Sequence, residues 1–309
     1  MSKLASALET LLDRVAADGR VDADEVLEIR RTVFPDGVVD RAEAGALFTL
    51  AARVANDSPL WTEAFVEALC DHVCGPDAIV DDADGHWFVY QAGKAGALAA
   101  PLLVRVMKRA DSVPAVVSAA ARAAVQTAIG NGPVTAQHVE DVRTCLYAVG
   151  GGGAGHVNEI EARWLFEIDA AVDGADNDPA WGDLFVKALL NHVMGHRPSA
   201  LLDRASQVAR RQWLETPHDG TLGNFLARAM SGGPKGWLAH VRAPGEVAAF
   251  EAHYAARNAE AEEDARLTLA EVTSLVALVR ADGKRTANEE RLLETVRALE
   301  QAGAPSTGA

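Results

Sequence analysis

Asp18-Gly19 is followed by Asp22 and Glu25, and Asp36-Gly37 by Asp40 and Glu43. Carboxylates grouped beside glycine turns are oxygen chemistry suited to a hard divalent cation. Asp18, Asp22, Glu25, Asp36, Asp40 and Glu43 therefore form the candidate metal set. An autonomous calcium loop also needs oxygens at its first and third positions. Counting back from Glu25, those places hold Arg14 and Ala16; from Glu43 they hold Thr32 and Phe34. Half the ligands are missing. Helix capping explains the same acids without a cation, because an Asp at the N-cap and a Glu three residues on exchange hydrogen bonds with each other's backbone.

Other reactive residue types are sparse. Cys70 and Cys74 lie one helical turn apart and could share an ion, but Leu190 and Met194 hold the matching places further along the chain, which points to apolar packing. His72 and His192 recur without a nucleophile beside either and read as hydrogen-bonded structural residues. The glycine run 150–153 lacks the Lys and Ser or Thr that complete a phosphate cradle. No Ser-His-Asp or Cys-His signature is visible. Trp61 and Trp181, each with a phenylalanine one turn on, read first as core anchors and, if partly exposed, as partner contacts. Phe225 and Trp237 are further aromatic candidates for partner binding.

The elements that carry these residues are announced by one recurring device. A residue, usually apolar, precedes Asp, Thr or Asn, and three positions later comes a polar, usually acidic side chain. The copies begin at Asp22, Asp40, Asp81, Thr135, Asn158, Thr268 and Thr286. Each predicts a helix start. Stripes such as Leu4, Leu8, Leu11, Leu12 and Val15, or Val26, Ile29 and Val33, supply the buried faces. Abundant alanine and short β-branched runs favour helices over strands.

The order of these signals repeats. Val39 to Phe48 matches Val157 to Phe166, Asn56 to Trp61 matches Asn177 to Trp181, and Phe65 to Gly75 matches Phe185 to Gly195. The expectation is an all-α protein of two tandem pseudo-repeats, each a bundle of five to six helices. Residues 1–113 form the first unit and 114–309 the second, with the seam at Val113-Pro114, where helix is resisted. An insertion at about 196–264 interrupts the second unit. It reads as a loop with added helices, or as a flap over a partner site.

The chain has 309 residues and a formal net charge of −15. Such an acidic body repels phosphate backbones, so nucleic acid is an unfavourable partner. The three cysteines make no disulfide framework. The first residues read as an amphipathic helix, and no apolar run has the length of a membrane span. A cytoplasmic location without membrane insertion is the expectation.

Ala17-Asp18-Gly19 with Glu25, and Ala281-Asp282-Gly283 with Glu289, resemble the signature of TerB-like proteins of bacterial tellurite resistance and stress response. The 177–188 pattern, from Asn177-Asp178-Pro179 through Trp181 to Phe185-Val186 and Ala188, is similar to the two-unit α-proteobacterial type. The resemblance spans most of 1–205 and 265–302. It implies a compact helical bundle without known catalysis, a part in membrane-associated stress complexes or intracellular signalling, and metal sensing through surface acids, which would be Asp18, Glu25, Asp282 and Glu289. Lys94-Ala95-Gly96 and Asn131-Gly132 with His138 depart from that pattern.

The functional expectation is a non-enzymatic TerB-like module that presents acidic and aromatic surface to a protein partner, with no cofactor. The alternative is a divalent-metal sensor acting through the acidic turns. Neither the partner nor the oligomeric state follows from the sequence.

Overall fold

The computed structural model describes residues 10–33, 38–55, 58–148, 157–194, 276–277, 279 and 285–303. Asp36, Phe225, Trp237, the Thr268 cap, Asp282 and the 196–264 insertion lie outside the described residues. What is described is all-helical, as the patterning predicts. The only extended pairing among these residues is an isolated parallel bridge between Ile79 and Ser112. Among them, no helix is long and apolar enough to cross a membrane.

Two compact units are present. The first holds the described residues up to 128 together with Ala148; the second holds 129–147 and those from 157 onward. Val113-Pro114 is non-helical and separates two helices inside the first unit.

In the first unit, residues 10–15 are helical and are followed by α1 (Ala23–Val33), α2 (Arg41–Ala51), α3 (Pro59–Cys74) and α4 (Asp82–Ala92). A short helical turn, Gly96–Leu98, leads into α5 (Ala99–Arg109), and α6 (Ala115–Ile129) comes next. Helix α3 is the hub, touching α1, α2, α4 and α5. It buries Trp61, Phe65, Leu69 and Val73 at helical spacing, so one apolar stripe faces all four neighbours. Phe48 of α2 meets Phe65 edge to face at 5.5 Å, and Trp61 lies 5.4 Å from the same ring. Gly85 of α4 is packed so closely on Pro114 and Val117 that a Cβ there would overlap the proline ring.

In the second unit, α7 (Ala136–Tyr147), α8 (Glu159–Ala171) and α10 (Ala287–Gly303) each pack on α9 (Pro179–Met194). Trp181 and Phe185 of α9 sit 6.1 Å apart, and Phe166 of α8 meets Phe185 edge to face at 5.4 Å. The hub helix of each unit therefore carries the same Trp-then-Phe anchor, one turn apart.

The recurring cap device starts a helix at every copy within the described residues. Asp22 and Glu25 exchange backbone bonds of 2.9 and 2.8 Å, and Asp40 and Glu43 do so at 2.8 Å in both directions. Asn158 and Glu161 repeat this at 2.9 and 3.0 Å, and Thr286 and Glu289 at 3.0 and 3.1 Å. The Asp81 carboxylate accepts from Asp84 N at 2.7 Å. At Thr135 the reciprocal acceptor is the ring Nδ1 of His138, 3.3 Å from Thr135 N. Imidazole nitrogen thus replaces carboxylate oxygen and the helix still starts. Val21, Val39, Val80, Val134 and Val157, each just before a cap, are all buried.

Candidate functional site

Of the first-unit acids expected to gather around a cation, Asp22, Glu25, Asp40 and Glu43 are occupied in starting helices. Asp22 with Glu25 and Asp40 with Glu43 point their oxygens at backbone N–H groups, and Asp18 accepts from Arg20 N at 2.9 Å. Among the described residues, no group of three or more His, Cys, Asp or Glu is placed to hold a metal ion. Trp61 and Trp181 are 1% and 0% exposed, so their rings contact core residues instead of offering a face to a partner. His72 and His192 are structural in the same manner. Nδ1 of His72 lies 2.6 Å from the Val39 carbonyl, and Nδ1 of His192 lies 2.7 Å from the Val157 carbonyl. Each clasp ties the hub helix to the residue that precedes a cap.

A recess of about 620 Å³ belongs to the second unit. Its floor is the end of α8, its wall the 173–178 turn and the first residues of α9, and its far side the start of α10. The turn forms because Gly174 takes the left-handed conformation, φ 76°, which ends the α8 segment. Asn177 then locks it: Nδ2 donates to Val172 O at 3.0 Å, and Oδ1 accepts from Val134 N at 2.8 Å. Asp178 N donates to Val134 O at 2.8 Å, and the Asp178 carboxylate accepts from Ala180 N at 2.9 Å, starting α9.

At the floor stands Asp169, only 2% exposed. A buried carboxylate is costly unless it is hydrogen-bonded. Three donors converge on Asp169: Trp181 Nε1 at 2.8 Å, Asn288 Nδ2 at 2.7 Å and Thr286 Oγ1 at 2.5 Å. They come from α9 and from the start of α10, so one side chain stitches three helices. Beside it, Arg291 pairs with Asp183 at 2.7 Å. Gly182 permits this closeness, since a Cβ there would stand 2.5 Å from Asn288 Oδ1 and 3.0 Å from Arg291 Nη1.

The rim is strongly acidic. Asp173 and Asp176 are exposed on the turn, Asp178 and Asp183 are half-buried, and among the described lining residues Arg291 is the one cationic side chain. Among the described lining residues there is no Ser, Cys, His or Lys, and the Thr286 hydroxyl is engaged by Asp169. The arrangement can receive a cationic group by charge and by hydrogen bonds.

The first unit has a far smaller recess at a different place, about 60 Å³, lined by Arg41, His72, Val73, Asp84 and Trp87. Arg41 stacks over Trp87 at 4.1 Å and pairs with Asp84, and the His72 ring meets Trp87 at 5.7 Å. Cation, aromatic face and carboxylate fill the space among themselves.

Sequence reasoning singled out Asn177, Asp178 and Trp181 as a repeated motif but missed Asp169, Asp173, Asp176, Asp183, Asn288 and Arg291. One signal could have found the first of these. In the internal alignment Asp169 falls on Ala51, an acid where the first unit has a small apolar residue.

Compared with known proteins, the chain matches no family model, no curated protein and no solved structure.

Proposed function

We propose that this chain is a non-enzymatic, TerB-like helical interaction module, acting in a bacterial stress response, whose second unit holds a basic segment of a protein partner. The observation that carries the reading is the acidic recess: exposed Asp173 and Asp176 above half-buried Asp178 and Asp183, around a floor fixed by Asp169. Carboxylates on a rigid rim attract Lys and Arg side chains, speed encounter and suppress acidic competitors. The net charge of −15 extends the same preference over the whole molecule. The aromatic surface expected from Trp61 and Trp181 is not part of the reading, because both rings are core.

The test is affinity capture from the native host with the full chain, in parallel with an Asp173→Lys/Asp176→Lys variant. Both residues are exposed and outside the Asp169 network, so the melting temperature is expected to hold. A partner captured by the wild type, released by moderate salt and lost in the variant supports the reading. A partner held equally by the variant, or a small-molecule turnover that the variant abolishes, overturns it.

A further inference from the structure

The only close pair of thiols among the described residues lies in the first unit, far in sequence from the acidic recess. Cys70 and Cys74 occupy successive turns of α3, with their sulfurs 3.9 Å apart and both residues 1% exposed. No disulfide joins them. The separation is too long for a sulfur–sulfur bond, which needs about 2.05 Å. It is close to what a single soft ion spans when two thiolates flank it. We propose that Cys70 and Cys74 form a two-coordinate site for a soft monovalent cation of the copper(I) class.

Four observations carry this. Thiolates are soft ligands and select copper(I) over hard cations. No third His, Cys, Asp or Glu joins the pair among the described residues, which disfavours zinc, an ion that takes four ligands. The surroundings are apolar, with Leu69, Val73, Leu102, Val106 and Met107 buried on α3 and α5, so water is excluded as an added ligand. Positive charge stands close by, because Arg105 and Arg109 lie on α5, the helix that packs on α3.

Charge and protons balance. Two S–H protons leave to solvent, two sulfur–copper bonds form, and the site is left with a single negative charge. A path in exists because Cys74 is the last residue of α3, and Gly75 ends the helix at φ 56°. Opening one terminal turn exposes both sulfurs without unfolding the unit.

The second unit supplies its own control. Leu190 and Met194 hold the matching positions, so Cys70→Leu/Cys74→Met installs side chains that the other hub helix already accommodates. Under anaerobic conditions the reduced full-length protein is titrated against the coloured copper(I)–bicinchoninate complex. The wild type is expected to withdraw copper(I) in a one-to-one ratio, and Cys145→Ala, a change in the other unit, to do the same. Cys70→Leu/Cys74→Met is expected to withdraw none. Failure of the wild type to take copper, or equal uptake by the double variant, overturns the proposal. X-ray absorption on the wild-type complex keeps the test decisive if the double variant misfolds: two sulfur neighbours support the site, while three or four neighbours refute it. Stoichiometric zinc uptake that competes with copper(I) also refutes it.

Discussion

The two units make the same clasp and surround it differently. His72 Nδ1 and His192 Nδ1 both reach a valine carbonyl just before a helix cap, at 2.6 and 2.7 Å. In the first unit the ring then meets Trp87 edge to face, and Arg41 lies over the same indole. In the second, the preceding residue, Asn191, is buried and takes a hydrogen bond from Val157 N at 2.7 Å, so neighbouring side chains hold both the N–H and the C=O of one valine. The corresponding residue of the first unit, Asp71, points outward to Arg109. A second contrast lies at the Ala51 and Asp169 positions. Alanine leaves α2 closed by packing, whereas aspartate recruits Trp181, Thr286 and Asn288 and opens a recess above itself. The backbone device is shared, and one or two side chains decide whether it ends as core or as a site.

The sharpest way to break the contrast is Asp169→Ala. Three donors would lose one acceptor in a buried place, at a cost of about 3 kcal/mol or more. Urea unfolding reads this directly, and a loss under about 1 kcal/mol would show that the carboxylate is not the stitch. Gly85→Ala comes next. Its Cβ meets the rigid Pro114 ring, so a cost of about 2 kcal/mol is expected. Gly182→Ala meets the tip of the Asn288 amide and should cost less, with part of the loss recovered in the Asn288→Ala background.

The clasps come third. His192→Ala and His72→Ala are each expected to cost about 1–2 kcal/mol. The second also removes the Trp87 contact, and a double-mutant cycle with Arg41→Ala should show coupling of about 0.5 kcal/mol. Zero coupling would mean that the cation and the imidazole use Trp87 independently.

The smallest effect concerns Asp141 of α7, whose carboxyl is pushed above its ordinary range by burial, against the bond from Gln137. A raised carboxyl favours the protonated form in the folded state. Its contribution is therefore most favourable at acid pH and declines as pH rises through the folded value. Asp141→Asn should raise the melting temperature slightly at neutral pH and lose that advantage as pH falls toward the ordinary aspartate range. Equal melting temperatures at both pH values would remove burial as the cause.

Much of the helical architecture was readable in advance, because a cap joins residues only three positions apart. Asp40 with Glu43 and Asn158 with Glu161 behave as their spacing implies, and even His138 keeps the pattern. The apolar stripe on α3, from Trp61 through Phe65 to Leu69, likewise follows from helical periodicity. The recess was not readable. Asn177 and Asp178 looked like parts of a motif, yet nothing local marks them as the wall of a cavity.

Sequence alone determined where the described helices begin and which faces they bury. These are interactions among neighbours, and their energies do not depend on how distant segments meet. Only the tertiary structure decided that Asp169 would be buried. Its Thr286 and Asn288 partners stand 117 and 119 residues away, and a carboxylate tolerates that depth only when such donors arrive together.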